Sequence, residues 1–392
     1  MSTPLVDQST LLPADGCAGT LVGRAWDPAV GGPTPVVVRD DGVYDLSGIA
    51  ATVAALAAYD DPVAAVRAGR GRRLGALDEL LANTGAGRQD PADPWLLSPV
   101  DLQTLKAAGV TFAVSMIERV IEERVRGDAE AAAVMREAIL SQIGGDLREA
   151  RPGSPEARAL QEFLVEQGLW SQYLEVGIGP DAEIFTKGPT LSSVGPAAQV
   201  GVLSTSRWNN PEPEVALVVD PRARVVGASL ANDVNLRDLE GRSALLLSKA
   251  KDNNASCAIG PFVRLFDDTF DLDTVRAMSV RLRIEGDDGF RLDDSSDMSQ
   301  ISRDPLDLVG QLMGPHHQYP DGAVLMLGTM FAPTVDRDHP GGGFTHHRGD
   351  IVTISADALG SLTNEVEWSE RCEPWTWGIS ALMGNLATRG LL

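Results

Sequence analysis

The chain has 392 residues, 43% of them hydrophobic, which is enough to bury a sizeable core and suggests two domains or one domain with a large extension. Its formal charge is −22, from 33 basic against 55 acidic residues, so the protein repels phosphate backbones and anionic membranes. Composition therefore argues against nucleic-acid and membrane partners. An anionic substrate would need a local cation, either a metal ion or well-placed Lys and Arg side chains.

The three cysteines, Cys17, Cys257 and Cys372, lie far apart and lack the C-x-x-C spacing of zinc and redox sites. The N-terminus has no basic segment followed by an apolar one, and no uninterrupted apolar run reaches about 18 residues. We therefore expect a protein of the reducing cytoplasm.

The first part of the chain predicts a β-hairpin followed by helix. Short strands are expected at 19–26 and 35–46, with the second bent at the turn 40–42, and an Ala-rich helix is expected at 52–68. The segment 88–94 has the Pro, Asp and Gly content of a linker.

A helical segment is predicted next. The string Ser-Pro-Val-Asp at 98–101 has the pattern of a helix N-terminus, so helices are predicted at 99–126, with a possible break near Gly109, and at 128–143. A further helix is expected at 154–170. Gly and Pro at 177–180 then break the helical pattern.

The C-terminal half is predicted to be mainly β, and we place a domain boundary near residue 175. This gives an N-terminal hairpin and helical domain at 1–175 and a catalytic domain at 176–392. The expected strands of the second domain lie at 214–219, 225–231, 279–285, 323–327 and 351–355.

Three acidic residues are predicted to converge in the second domain. Glu212 and Glu214 stand two apart at the start of a predicted strand, and Asp233 ends the next strand, so a hairpin would bring all three together. Clustered carboxylates repel one another unless a cation lies among them, and an all-oxygen shell suits Mg²⁺, Mn²⁺ or Ca²⁺. A bare E-x-E pair is more often a solvated strand edge, so the longer pattern around it decides.

That longer pattern resembles the catalytic domain of the fumarylacetoacetate hydrolase family. The resemblance covers about 181–392 and implies the family's mixed β-sandwich roll, an α+β fold, with an N-terminal β/α extension. The strings that carry it are NDVNLRDLE at 232–240, KAK at 249–251, ASCAIGP at 255–261, LGT at 327–329, RGD at 348–350 and LGSLTNEV at 359–366.

The resemblance also implies roles for individual residues. Glu212, Glu214 and Asp233 correspond to the family's Mg²⁺ ligands, and Lys251, six residues before Cys257, corresponds to the lysine that faces the substrate. Thr329 lies at the turn that holds the substrate carboxylate. Dimers or tetramers are expected on the same ground.

Within the family, the strings EIFTK at 183–187, WNNPEPE at 208–214 and RDLEG at 237–241 most resemble the 2-keto-3-deoxy-pentonate dehydratases. This implies a Mg²⁺-dependent hydro-lyase of pentose catabolism, such as D-xylose degradation. Its substrate would be a small 2-oxo sugar acid, 2-keto-3-deoxy-D-xylonate or arabinonate, and its product 2,5-dioxopentanoate. Glu183 corresponds to an additional proton-transferring Glu, Glu212 is a candidate for both ligand and base, and Lys187 is a candidate substrate-binding residue.

The expected chemistry follows from the substrate. A 2-oxo acid that chelates a divalent ion has a more acidic C3 proton, and one carboxyl can remove it while an acid assists loss of the C4 hydroxyl. Lys251 would neutralise the developing oxygen charge. Which carboxyl is the acid and which the base, the preferred ion and the sugar stereochemistry are left open.

Two alternative functions are considered: a carbon-carbon hydrolase or decarboxylase, and a non-catalytic binding protein. Family members that cleave carbon-carbon bonds use a His-Glu pair upstream of E-x-E, and this chain has no His before His316, which argues against a hydrolase or decarboxylase of acylpyruvates and other diketo acids. A non-catalytic binding protein would have no need for the complete set of three acids and Lys251, because clustered acids without a metal cost stability.

Overall fold

The computed structural model describes residues 5–125, 131–132, 152–166, 168 and 170–392. The predicted helix at 128–143 falls outside these residues except for 131–132. The described residues combine mixed sheets with helices, as the predicted α+β class requires. No helix in this part of the chain is both long enough and apolar enough to cross a bilayer.

The strands alternate in sequence with short helices. In chain order the strands are β1 (Leu21–Asp27), β2 (Gly32–Arg39), β3 (Gly42–Asp45), β4 (Arg73–Gly75), β5 (Trp95–Leu97), β6 (Thr104–Ala108), β7 (Ile184–Gly188), β8 (Gln199–Val202), β9 (Asn209–Asn210), β10 (Pro213–Val219), β11 (Val225–Asp233), β12 (Asn235–Leu236), β13 (Cys257–Leu265), β14 (Ser279–Glu285), β15 (Arg291–Asp297), β16 (Ala323–Met326), β17 (Ile351–Ala356) and β18 (Gly360–Trp368).

The helices are mostly short and connect strands. They are α1 (Gln8–Leu11), α2 (Val53–Ala57), α3 (Pro62–Ala68), α4 (Leu77–Ala82), α5 (Ala113–Val125), α6 (Pro155–Glu166), α7 (Gln172–Ile178), α8 (Arg237–Glu240), α9 (Leu247–Lys251), α10 (Leu272–Arg276), α11 (Pro305–Leu312) and α12 (Ile379–Thr388). The single helix predicted at 52–68 is divided at Asp61, whose side chain caps α3.

One eleven-stranded sheet takes strands from both halves of the chain. Its order is β4-β3-β2-β1-β13-β11-β10-β16-β6-β7, with β5 paired to β1. A five-stranded sheet, β15-β14-β17-β18-β8, and a two-stranded ladder, β12-β9, complete the β structure of the described residues. The larger sheet continues across residue 175, so the division into 1–175 and 176–392 stays a prediction about folding units.

The main core lies between the two large sheets, and β10 contributes to two cores at once. Val215, Leu217 and Val219 face the five-stranded sheet, whereas Ala216 and Val218 face the cluster that includes α2 and α3. A central strand covered on both faces is apolar throughout, which is why the strand was recognisable from the sequence.

The prediction of helix from residue 99 is wrong between 104 and 108. These residues form β6, which pairs in parallel with β16, and helix begins only at Ala113. Asp101 does act as a cap, but for another helix: its carboxylate accepts hydrogen bonds from the N–H groups of Val53 and Ala54, at 2.7 and 2.9 Å. The predicted N-terminus at 98–101 is therefore wrong: no helix starts there, and Asp101 instead binds the start of a helix that lies 48 residues earlier in the chain.

Candidate active site

The three predicted acids meet because β10 and β11 form the expected antiparallel pair. Pro213 lies opposite Asn232, and the Asp233 N–H donates to the Glu212 carbonyl at 3.1 Å. One carboxylate oxygen from each of Glu212, Glu214 and Asp233 lies within 4.8 Å of the others, and all three residues are buried. The structure thus brings together the three residues that the sequence predicted as metal ligands.

Basic side chains of the chain itself lie among these acids. Lys251, the last residue of α9, is buried and contacts both Glu212 and Asp233, with Nζ 3.0 Å from Asp233 Oδ2. Burial would lower the pKa of Lys251, but Asp233 and Glu212 outweigh it and raise that pKa above its ordinary value. The positive charge among the acids thus comes in part from the chain's own lysine.

Lys187 lies behind Asp233. Its ammonium is fully buried, 2.8 Å from Asp233 Oδ1, and donates to the carbonyls of Val234 and Lys251 at 3.0 and 2.6 Å. Burial alone would raise the pKa of Asp233, but Lys187 and Lys251 hold it below its ordinary value. In this arrangement the donors of Lys187 are directed to protein oxygens, and its predicted contact with substrate stays a prediction.

Glu214 has a different environment. Its carboxylate accepts a hydrogen bond from the Gly328 N–H at 2.7 Å. Burial raises the pKa of Glu214 well above its ordinary value, and the charges of Asp233 and Glu212 raise it further. Glu214 is the acid of the three with the most to gain from a bound cation.

Thr329 follows Gly328 directly, which places the predicted carboxylate-binding turn beside Glu214. Gly328 has φ of +99°, and an added Cβ would overlap Thr111 Oγ1, so only glycine fits here. The Thr329 hydroxyl donates to the Phe331 carbonyl at 3.1 Å and is buried.

Helix α5 supplies charged residues that the sequence did not single out. Arg119 bridges two acids, with its guanidinium 2.6 Å from Glu212 Oε1 and 2.8 Å from Glu240 Oε2. The neighbouring Glu118 pairs with Arg237 at 2.9 Å. Two charged residues at 118 and 119 on a helix are a weak sequence signal, because solvated helix faces carry the same pattern.

Glu183 lies at the edge of the same site. It precedes β7, is partly exposed, and packs against Gly109, where an added Cβ would overlap its Oε2 atom. Loss of water contact raises the pKa of Glu183, and the nearby positive charges of Arg119 and Lys251 oppose the rise. The carboxyl therefore titrates within the electrostatic field of the site.

The adjacent residues His346 and His347 have different environments. His346 is buried, with Nδ1 3.0 Å from Asp350 Oδ2, whereas His347 is half-buried, with Nε2 3.0 Å from Asp338 Oδ1. Burial lowers the pKa of His346, despite the opposing effect of Asp350.

The donor set fits a hard divalent cation. Three convergent carboxylates, one of them with a strongly raised pKa, offer an all-oxygen shell of the kind that Mg²⁺, Mn²⁺ and Ca²⁺ prefer. The fold and the site together define the class of protein. It is a mixed β fold with a candidate metal centre made of three buried carboxylates, with two lysines beside them. The chain matches the family model described as "Fumarylacetoacetate (FAA) hydrolase C-terminal" over residues 166–367, and it belongs to this family.

Two curated relatives match about half of the chain. One, from Haloferax volcanii, is named "Probable 2-keto-3-deoxyxylonate dehydratase" and is 31% identical over 201 residues, which cover 51% of this chain and 65% of the relative. The other, from Saccharolobus solfataricus, is named "2-dehydro-3-deoxy-D-arabinonate dehydratase" and is 29% identical over 185 residues, or 47% of this chain and 58% of the relative. The matches thus span less than two thirds of either relative.

Solved structures share the fold. An apo form of 2-keto-3-deoxy-D-arabinonate dehydratase aligns with a TM-score of 0.61 at 20% identity, over 89% of this chain and 99% of that one. The same enzyme complexed with magnesium and 2,5-dioxopentanoate aligns with a TM-score of 0.60 at 19% identity, over the same shares of the two chains. At these identities the alignment establishes the fold alone.

Proposed function

We propose that this protein is a Mg²⁺-dependent dehydratase that removes water from 2-keto-3-deoxy-D-xylonate or its arabinonate epimer to give 2,5-dioxopentanoate. The observation that carries the proposal is the convergence of three buried acids, Lys251 and Glu183 in one site. The names of both curated relatives support it, as does the ligand of the related solved structure.

Glu212, Glu214 and Asp233 would hold the ion. When bound, Mg²⁺ supplies Lewis-acid polarisation of the 2-oxo acid. Glu212 is a poorer candidate for the base than Glu183, because Arg119 and Lys251 already engage its two oxygens. We therefore assign the base to Glu183 and leave Glu212 as a ligand.

Glu183 takes one proton from C3 and, once protonated, returns that proton to the departing C4 hydroxyl as water leaves. Its raised pKa suits a carboxyl that must both accept and donate a proton. Lys251 stays protonated, since its pKa is raised, and its positive charge offsets negative charge that develops on substrate oxygen.

The first product has a C3=C4 double bond and keeps the C5 hydroxyl. It is an isomer of 2,5-dioxopentanoate. One proton must leave C5 and one must leave the C5 oxygen, while C3 and C4 each gain one, so a single water is lost overall. The C5 oxygen thus changes from a hydroxyl to an aldehyde oxygen during the reaction.

The test is turnover of 2-keto-3-deoxy-D-xylonate and its arabinonate epimer with Mg²⁺ and with EDTA, following 2,5-dioxopentanoate. Acylpyruvates serve as rival substrates. Metal-dependent formation of the dioxo acid is expected. Release of pyruvate from an acylpyruvate, without dehydration of either sugar acid, would instead identify a carbon-carbon hydrolase.

A further inference from the structure

Two asparagines continue the ladder that carries the acids. Asn235 of β12 pairs with Asn210 of β9, and this pairing is in register with the Glu212–Asp233 pairing next to it. Residues two apart on a strand face the same side, so Asn210 and Asn235 lie on the face that carries Glu212 and Asp233. Strand geometry puts this row about 6.6 Å from the acids.

The opposite face of this segment is apolar. Val234 and Leu236, on either side of Asn235, both pack in the main hydrophobic core. Because successive side chains of a strand point to opposite faces, the asparagine side chains lie on the same face as the acids. Both asparagines are buried.

The amide groups of these asparagines have unused hydrogen-bonding capacity. Neither Nδ2 nor Oδ1 of Asn235 has a partner within the described residues, and the same holds for Asn210 Oδ1. Asn210 Nδ2 donates to the Pro211 carbonyl at 2.8 Å. Buried polar atoms without a partner cost free energy, and such atoms beside a candidate active site point to a ligand that pairs with them.

We propose that Asn210 and Asn235 form a subsite that binds the C5 hydroxyl of the substrate, so that the enzyme selects 2-oxo acids that carry an oxygen on C5. The inference rests on the proposed function and deepens it. With C1 and C2 of the substrate held at the acids, an extended five-carbon chain is long enough for C5 to reach the neighbouring row of the ladder.

The chemistry of the reaction explains why an amide suits this position. The C5 oxygen begins as a hydroxyl, which can donate to Asn235 Oδ1, and ends as an aldehyde oxygen, which can only accept, from Asn235 Nδ2. A side chain with both an acceptor and a donor can pair with the oxygen at each stage. A carboxylate could pair with the hydroxyl only, and a lysine could donate to either oxygen but could not accept the hydroxyl proton.

The test compares two substrates that differ in one oxygen. 4-Hydroxy-2-oxopentanoate lacks the C5 hydroxyl but can still lose water, giving 2-oxo-3-pentenoate. For the wild-type enzyme we expect kcat/KM to be roughly 100-fold or more lower for this analogue, because a site built to pair with a hydroxyl rejects a substrate without one. In Asn235→Leu the ratio should fall below about 10-fold, with the Kd for Mn²⁺ unchanged.

Asn364→Leu is the matched control. Asn364 is equally buried, but its amide donates to the carbonyls of Gly195 and Ala198, each at 2.9 Å. This variant should lower the Tm and keep the substrate ratio. Asn235→Leu should keep or raise the Tm, because it removes unpaired polar atoms. Asn235→Ala, which adds no bulk, repeats the test if the leucine does not fit.

Retention of the wild-type substrate ratio in Asn235→Leu and Asn235→Ala would overturn the inference, as would a loss of Tm equal to that of Asn364→Leu. Failure of the proposed function is distinct, because the wild-type enzyme would then dehydrate neither compound. The subsite would in that case be tested by calorimetric binding of 2,5-dioxopentanoate against 2-oxopentanoate with Mn²⁺ present. Equal affinities for the two would overturn it.

Discussion

The absence of a side chain at Gly109 creates the space that Glu183 occupies. Gly109 also donates its N–H to the Glu183 carbonyl at 3.1 Å, so backbone and side chain of Glu183 are both placed by this one residue. The sequence suggested only that Gly109 could break a helix. Its effect on a residue 74 positions away could not be read without the pairing of β6 and β7.

Gly109→Ala should displace the Glu183 carboxylate without unfolding the protein, because the overlapping atom is the far end of a flexible side chain. We expect turnover to fall toward that of Glu183→Gln, which should lose about 100-fold or more as a base is removed. Mn²⁺ affinity should be unchanged in both variants. Full turnover in Gly109→Ala, alongside a large loss in Glu183→Gln, would mean that the Glu183 carboxylate can act without occupying the space beside Gly109.

The buried ammonium of Lys187 is expected to contribute to the stability of the protein rather than to its affinity for substrate. Lys187→Met removes one of the two ammonium groups that contact Asp233 and leaves only Lys251 to offset its buried charge, so the free energy of unfolding should fall by about 3 kcal/mol. Chemical denaturation of the metal-free protein measures this directly. Unchanged stability with a raised KM would restore the predicted substrate contact of Lys187.

Sequence reasoning located the acids but not all of their partners. Glu212, Glu214 and Asp233 were predicted because they lie on two consecutive strands, whose pairing is the simplest one available. Arg119 reaches Glu212 from 93 positions away, and no local pattern marks such a contact.

At the scale of elements, helix α5 joins the N-terminal part of the chain to the site. It precedes the segment that matches the family model, yet it provides Arg119 to Glu212 and Glu118 to Arg237. The Glu118–Arg237 pair connects α5 to α8, as does the pair of Arg119 with Glu240. The N-terminal extension, whose role the sequence left unassigned, thus supplies part of the candidate site.

Arg119→Met should weaken Mn²⁺ binding by about 10-fold or more, because Arg119 fixes the orientation of the ligand Glu212. Titration calorimetry with Mn²⁺ provides the measurement. Glu118→Gln, which breaks the neighbouring ion pair of α5 with Arg237, is the matched control and should bind Mn²⁺ normally. Tighter binding by Arg119→Met would show that the arginine acts only through its charge.

The strand β6 shows where element prediction fails. Leu105 fits a helical stripe with its neighbours, but Leu105 and Ala107 are both buried in the core under α2 and α3. Pairing with β16 and β7 on its two sides decides the conformation, and neither partner is near in sequence. The C-terminal strands were easier to predict, because apolar or alternating runs mark their bounds without any knowledge of the strands they pair with.

At the scale of the molecule, the larger sheet makes the two predicted domains depend on each other. β1 borders β13, and β6 borders β16, so the segment 176–392 alone would present two unpaired strand edges. We expect residues 176–392 expressed alone to aggregate, whereas the full chain stays monodisperse in size-exclusion chromatography. A monodisperse, cooperatively unfolding fragment would establish 175 as a true domain boundary.

The pairing of β1 with β13 also has a consequence for biosynthesis. Leu21 pairs with Arg264, roughly 240 residues later in the chain. At ribosomal speeds the first strands wait roughly 10 to 50 s before their neighbour emerges. During that interval the nascent chain exposes a strand edge that can recruit other nascent chains, so growth temperature and holdase chaperones should govern how much native protein a cell accumulates.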